Sequence, residues 1–364
     1  MLKWVLVGVG VAVGLIVAYL GVGPGRTPPI TDPRGRPLPE SIAELRAVEI
    51  GGLEQWILVR SHDRSNPVLL WLHGGPGAAQ IPIHRAFNKD LERDFVVVHW
   101  DQRGAGKSNH AGFREETMTL ARFIADVHEL TQYLRVRFGE ERIFLLGHSW
   151  GALLGVYVVQ RYPEDYHAFV SVAQPVHARR GEEIAYAWLR EEVMVRGTRA
   201  QREQFAALGP PPFVDHARYI AFSQLREAFG GGMDVGMARL ARIALGAAEY
   251  TMGDYVRWLG GANRGSGPMW EETNDYDLFR EVPALDVPVA FIVGGEDQNT
   301  PAALVREYCE ALEAPRKTLH VIEGTAHAPF LGDPARFGAL IVEVLDTVLP
   351  SAGPATRGDP SLGE

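Results

Sequence analysis

Hydrophobic positions along this chain follow two different rhythms. Short continuous apolar runs, bounded by Gly, Pro or charged residues, alternate with longer stretches in which apolar residues recur every third or fourth position. Continuous runs predict strands buried on both faces, and the longer period predicts amphipathic helices. Strands are expected at 47–50, 54–59, Val68–Leu72, 95–100, 143–146, 169–172, 287–293 and 318–322. Helices are expected at 83–92, Leu120–Phe138, 152–162, 302–312 and Pro334–Val348. Such alternation is the signature of the α/β class, with a mainly parallel sheet covered by helices on both faces.

Two regions depart from that alternation. Residues 176–282 form a long insertion between the sixth and seventh strands. Helical spacing is clear at 182–195 and Arg199–Leu208, and Gly209-Pro210-Pro211-Pro212 stops the second helix. This segment predicts a helical cap above the strand ends, where sheets of this class place their ligands. The other departure is residues 4–22, which contain no charge and are dominated by Val, Leu, Gly and Ala. As a helix this stretch spans ~28 Å, about the thickness of a hydrocarbon core. It predicts an N-terminal transmembrane segment, an uncleaved signal anchor in preference to a cleaved signal peptide. A membrane partner and an extracytoplasmic catalytic domain follow from it. The expected organisation is an anchor at 1–23, a linker at 24–40, a core at 41–175 and 283–349 interrupted by the cap at 176–282, and a disordered tail at 350–364.

Composition narrows the function classes. A chain of 364 residues, 46% hydrophobic, can bury a large core and carry an insertion. Its net charge of −9 and the lack of a basic stripe argue against nucleic acid. Cys309 is the sole cysteine, so no intramolecular disulfide is available. No His, Cys, Asp and Glu cluster has metal-ligand spacing, so no metal and no cofactor are expected. The expected partner is a small-molecule or short-peptide substrate.

Candidate chemistry is concentrated where predicted strands end. Gly147-His148-Ser149-Trp150-Gly151 directly follows the apolar run at 143–146 and precedes an apolar helix. A G-x-S-x-G in a strand-turn-helix context is a nucleophile elbow, which lifts the serine hydroxyl clear of the sheet. Serine requires a base, and the base an orienting acid. In this architecture they follow in the order Ser, acid, His. Asp297, after the strand-ending Gly294, is the expected acid, with the adjacent Glu296 as its competitor. His327, after the last strand, is the expected base. His73-Gly74-Gly75-Pro76-Gly77 follows the third strand, and the N–H groups of Gly75 and Trp150 are the expected oxyanion donors, since Pro76 has none. Gly104-Ala105-Gly106-Lys107-Ser108 suggests a phosphate loop, but Asp101 occupies the position of the leading glycine, so no nucleotide site is supported. Asp101 and Arg103 are expected to hydrogen-bond within this loop and brace the floor of the site.

The motifs at 73–77, 100–108 and 147–151 together resemble the proline iminopeptidase family of α/β-hydrolases, with the likeness running from about residue 51 to residue 349 and weakest across the insertion. The resemblance implies an α/β-hydrolase fold, the triad Ser149, Asp297 and His327, an acyl-enzyme, and aminopeptidase activity on small peptides. A carboxylesterase on the same machinery is the main alternative, and a non-catalytic binding module a remoter one because all three triad residues are present. Epoxide hydrolases and dehalogenases share the fold but use Asp where this chain has Ser149. An aminopeptidase must recognise a cationic amine, for which Glu182, Glu183 and Glu249 are the candidates, with Glu271 and Glu272 behind them. The family's cap carries an Arg-Ile-Glu-Asn segment whose Glu contacts the amine. The nearest stretch here, Arg242-Ile243, is followed by Ala244, which loosens the expected specificity for N-terminal proline.

Overall fold

A computed structural model of the chain describes residues 25–349. Eight strands form one sheet in the order β1-β2-β4-β3-β5-β6-β7-β8, where β1 is Ile42–Ile50, β2 Leu53–Ser61, β3 Val68–Leu72, β4 Val96–Asp101, β5 Ile143–His148, β6 Tyr166–Val172, β7 Val289–Gly294 and β8 Lys317–Ile322. β1 and β2 pair antiparallel, as do β2 and β4, and all remaining neighbours are parallel. This is the doubly covered α/β sheet expected from the alternation of runs. Every residue of β3, β4 and β5 is buried, which is why these strands read as unbroken apolar runs. Alternate residues serve opposite faces: Leu70, Leu72, Val98 and Leu145 join one core, Leu69, Trp71, Val97 and Leu146 the other.

Helices begin and end where local chemistry dictates. Thr119 caps Leu120–Phe138 by accepting from the Arg122 N–H, and Gly139 ends it in the left-handed region at φ 72. Arg199–Leu208 opens on a capping box between Thr198 and Gln201. The helix expected at 83–92 is interrupted: His84–Phe87 is helical, Asn88 leaves the helical region, and a 3-10 turn follows at Lys89–Arg93. β1 extends well beyond the expected 47–50 because it pairs with β2 along its whole length. Its half-exposed edge position hides that from an apolar pattern. Cys309 packs inside the helix Ala302–Ala311.

Between β6 and β7 the chain is helical, with Ala178–Arg196, Arg199–Leu208, His216–Ala228, Met237–Leu245 and Met252–Arg264 as its main elements. Part of it has a core of its own, in which Leu189, Val193, Phe205, Phe213, Phe222 and Phe229 pack together. The residues between 25 and 40 are packed against the body: Ile30 is buried, Arg26 donates to the Ala248 carbonyl, and the Arg60 guanidinium donates to Thr27 and Pro28.

The membrane expectation is corrected. Residues 4–22 and the tail at 350–364 lie outside the described residues, and among those described no helix is long and apolar enough to cross a membrane. The longest ones show why. Leu120–Phe138 carries Arg122, Asp126, Glu129, Arg135 and Arg137, and Ala178–Arg196 is similarly charged, so each is long enough to span but far too polar. The architecture is therefore an α/β-hydrolase sheet with a helical insertion. Among the described residues there is no transmembrane element, and the expected membrane partner and membrane-anchored location find no support there.

Candidate active site

All strands from β3 to β8 run the same way with β4, so the loops after β3, β5, β7 and β8 converge on one edge of the sheet. The loop after β5 is the tightest. Ser149 sits at φ 54, ψ −117, a conformation that side chains other than glycine seldom adopt. The flanking glycines make this turn possible. A Cβ on Gly147 would lie 2.2 Å from the Gly151 carbonyl oxygen, and one on Gly151 would lie 2.2 Å from the Leu72 carbonyl oxygen. The Ser149 N–H is fixed on the Val172 carbonyl at 2.9 Å, which ties the turn to the neighbouring strand.

From that apex a continuous hydrogen-bonded chain runs inward. The Ser149 hydroxyl lies 2.9 Å from His327 Nε2, and His327 Nδ1 lies 2.9 Å from Asp297 Oδ2. Asp297 is 1% exposed. Its Oδ1 accepts from the N–H groups of Asn299 at 2.7 Å and Thr300 at 3.0 Å, and its Oδ2 from the Thr300 hydroxyl at 2.5 Å. Burial pushes the Asp297 carboxyl up. The facing His327 imidazole and these hydrogen bonds outweigh it and hold the group below the usual carboxylate range. Asp297 thus stays ionised beside the imidazole. Glu296, its neighbour in sequence, is exposed, with its N–H on the Thr325 carbonyl.

Gly75 and Trp150 line the same cavity as Ser149, and among the described residues their N–H groups donate to no carbonyl or side chain. Gly75 reaches this position at φ 112, and a Cβ there would crowd the Ala78 N–H at 2.7 Å. A buried brace sets the spacing between the loops. His73 donates from Nδ1 to the Gly74 carbonyl at 2.7 Å and accepts at Nε2 from the Gln102 N–H at 3.2 Å. Gln102 returns a bond to the His73 carbonyl at 3.0 Å and accepts from the Trp150 indole at 3.0 Å. Burial presses His73 down to about 4. His148 is pressed down to about 3 by burial and by the nearby His327. Both are therefore neutral at ordinary pH. His148 accordingly donates from Nε2 to the His327 carbonyl at 2.9 Å.

Of the two residues expected to hydrogen-bond within this loop, Asp101 does so and Arg103 reaches outside it to a helix. Arg103 forms a buried ion pair with Asp126 at 2.8 Å. Asp101 accepts from the Lys107 N–H at 2.8 Å and from the Tyr250 hydroxyl at 2.5 Å. Lys107, the lysine of the apparent phosphate loop, is buried against Asp254 at 2.6 Å and lies over the Trp56 ring. This segment fastens the insertion to the sheet.

Over Ser149 lies a cavity of about 490 Å³, floored by Gly75, Ser149, Trp150 and His327 and roofed by the insertion. Of the aromatic residues in the insertion, Tyr219, Trp258, Trp270 and Tyr276 line it, while Phe213, Phe222 and Phe229 form the insertion's own core. The three candidate glutamates are not part of its lining. Glu249 is buried in an ion pair with Arg85 at 2.6 Å. Glu182 accepts from the Phe213 N–H at 3.0 Å and lines a smaller adjoining cavity. Glu183 is exposed on the helix Ala178–Arg196 and lines neither. Glu272 accepts from the Leu120 N–H at 2.7 Å, and Glu271 is exposed. Ala244 faces Tyr255, whose hydroxyl donates to its carbonyl, and it too lies outside the cavity lining.

Sequence reasoning misses two groups here. Asp234, from the insertion, accepts from the N–H groups of Ala326 at 2.5 Å and Ala328 at 2.6 Å, gripping the loop on both sides of His327. Arg226 lines the cavity. Its signal was the 219, 223, 226 spacing of Tyr, Ser and Arg along one helix face, visible once that face is known to meet a site.

Comparison with known proteins agrees with this geometry. Residues 65–216 match the family model described as Serine aminopeptidase, S33. The chain is 33% identical over 307 residues to the Probable aminopeptidase YbaC of Bacillus subtilis (strain 168), covering 83% of this chain and 96% of that protein. It is 26% identical over 295 residues to the Proline iminopeptidase of Heyndrickxia coagulans, covering 78% and 91%. Among solved structures, the proline iminopeptidase of Mycobacterium smegmatis superposes with a TM-score of 0.63 at 23% identity, over 85% of this chain and all of that one, a likeness of fold. The chain is a hydrolytic enzyme and belongs to the Serine aminopeptidase, S33, family of α/β-hydrolases, with the proline iminopeptidases among its relatives.

Proposed function

We propose that the protein is a serine hydrolase that works through an acyl-enzyme, with Ser149 as nucleophile, His327 as general base and Asp297 as the group that orients the imidazole. The observation that carries this reading is the unbroken chain from Ser149 to His327 to Asp297, at 2.9 Å for each link, opening into the cavity. Ser149 Oγ attacks the substrate carbonyl carbon while its proton passes to His327 Nε2. The carbonyl oxygen becomes an oxyanion and is held by the N–H groups of Gly75 and Trp150, each such donor contributing ~3 kcal/mol to the transition state. His327 then gives the proton to the leaving nitrogen or oxygen as the carbon–leaving group bond breaks. Water, deprotonated by the same imidazole, releases the acyl group and restores Ser149. The ionised Asp297 stabilises the imidazolium formed at each half-reaction.

The insertion at 176–282 acts as the cap that chooses the substrate, because its aromatic side chains close the cavity. The substrate is a small amide or short peptide, as the names of the relatives indicate. A second reading, an esterase without amine recognition, is favoured by one observation: among the described residues no Asp or Glu lines the Ser149 cavity. A fluorophosphonate probe should label wild-type protein at Ser149 and leave Ser149→Ala unlabelled and inactive; turnover by the folded variant would reject the mechanism. Prolyl and alanyl arylamides, their N-acetylated forms and acyl aryl esters then separate the two substrate readings. Turnover confined to free-amine arylamides supports the aminopeptidase, and turnover confined to esters supports the esterase.

A further inference from the structure

The cavity over Ser149 has a charge of the unexpected sign. Arg226 is its only lysine or arginine, and no carboxylate lines it among the described residues. Arg226 is 4% exposed. Its Nη2 donates to the Ser223 hydroxyl at 2.8 Å, its guanidinium lies 5.1 Å from the Phe222 ring centroid, and its Nε has no hydrogen-bond partner among the described residues. No carboxylate stands within ion-pair distance of it among the described residues, although Asp297, Glu227 and Glu182 act on it from further off. Each of those carboxylates is engaged elsewhere: Asp297 by His327, Glu227 by the Met233 N–H and Glu182 by the Phe213 N–H.

A guanidinium cannot shed its charge as a buried lysine can, and burying it without a paired anion is costly. Proteins keep such a group where a ligand completes the pair, and Arg presents a planar fork suited to two carboxylate oxygens. Around it stand further polar groups that reach both the main and the adjoining cavity, the Tyr219 and Tyr276 phenols and Asn299. Asn299 also donates its N–H to Asp297, so the place where an anion would sit is next to the catalytic acid's loop.

We infer that Arg226 is a specificity-determining residue that binds a free carboxylate on the substrate, so that the preferred substrates are small amides or esters ending in a carboxylate close to the scissile bond. The inference rests on Ser149 as nucleophile. For a peptide substrate the carboxylate is the free C-terminus of a dipeptide; for an ester it lies on the acyl part. The neutral remainder of the molecule packs against the aromatic roof.

The test compares matched pairs differing only in that charge: an alanyl dipeptide and its C-terminal amide, and an aryl hemisuccinate and the corresponding aryl butyrate. Wild-type protein should turn over the carboxylate member of at least one pair with kcat/KM tenfold or more above its neutral partner, and the pair that responds tells which side carries the charge. Arg226→Gln should erase that ratio while changing the neutral partner less than threefold, and Arg226→Lys should keep part of it. Equal wild-type rates within both pairs would overturn the inference. So would an Arg226→Gln variant that slows charged and neutral members equally, which would mean the guanidinium serves the field around Asp297. If Arg226→Gln melts at assay temperature, inhibition of wild-type protein decides: acetylglycine should inhibit at least tenfold more strongly than acetylglycinamide, and equal inhibition overturns the proposal. Ser149→Ala tests the underlying reading separately, since it removes turnover of all four compounds whatever Arg226 does.

Discussion

The sheet-edge loops and the helical insertion form the floor and roof of one cavity, yet they are built on different principles. In the floor, residues are held by backbone geometry. Ser149 is forced outward by a strained turn between two glycines, and Asp297 and His327 sit a few residues beyond parallel strands whose register is set by the sheet. In the roof, residues are held by side-chain packing of helices, and the polar groups that matter are reached by rotation of a helix face. The loops therefore leave contiguous motifs in the sequence, whereas the insertion leaves only scattered positions. Chemistry is specified locally and selectivity is specified by packing, so an error of one helical turn in the roof changes the substrate without touching the mechanism.

Substitutions that act on one region and spare the other sharpen this contrast. The largest effect is expected from His327→Ala, which should lower kcat by about 10⁴-fold or more, because without the base the serine hydroxyl stays protonated. Steady-state kinetics with a thermal melt that shows the fold intact will check it. Asp297→Asn should cost about a hundredfold less than loss of the base, since it orients and stabilises the imidazolium without moving a proton. Glu296→Gln, at an exposed position, should leave kcat within about twofold. The reverse ranking of these two carboxylates would break the assignment of Asp297.

In the roof, Glu249→Gln probes whether the buried glutamate reads substrate or holds structure. Its ion pair with Arg85 puts it on the structural side, so the variant should lose ~1–3 kcal/mol of stability in a denaturant titration with KM unchanged. A raised KM for free-amine substrates at unchanged stability would return Glu249 to the site. The smallest expected effect lies where floor and roof meet. Burial raises the Asp101 carboxyl to about 7, against hydrogen bonds from Tyr250 and Lys107, and its Oδ1 has no partner among the described residues. Its folded value lies above its ordinary 3.8, so ionisation is disfavoured in the folded state. Stability from this group is present at low pH and declines as pH rises from about 4 to about 7. Asp101→Asn removes that slope. Its melting temperature relative to wild type should therefore improve steadily between pH 5 and pH 7.5, and a pH-independent difference would show that Asp101 is ionised throughout.

Motif and period together make the floor of the candidate site readable. Ser149, Asp297, His327, Gly75 and Trp150 each follow an apolar run, and the structure brings all five to one end of the sheet. The helices Leu120–Phe138 and Pro334–Val348 are legible to the residue because Thr119, Gly139 and Pro334 mark their ends. β1 was only half legible, since an edge strand need not be apolar to pair. The glutamates of the insertion misled for a different reason. Carboxylates on helices announce charge but not direction, and here Glu249 pairs with Arg85 while Glu182 holds a backbone N–H. The charge-free stretch at 4–22 is beyond the described residues, and none of the described helices supplies a membrane-crossing element in its place.

What the sequence alone determined is the part of the protein that depends on short-range geometry: the sheet, its helices, the elbow and the order of Ser, acid and His. A strained turn needs particular residues within a few positions, and that requirement is written contiguously. Tertiary structure alone decided which charge faces the substrate. Arg226 comes from a helix whose sequence is unremarkable, and its importance arises because the nearby carboxylates are engaged elsewhere, Asp297 and Glu182 by partners about thirty residues away and Glu227 by the Met233 N–H. Whether a charged group is paired is a property of three-dimensional neighbours, and no local pattern encodes it.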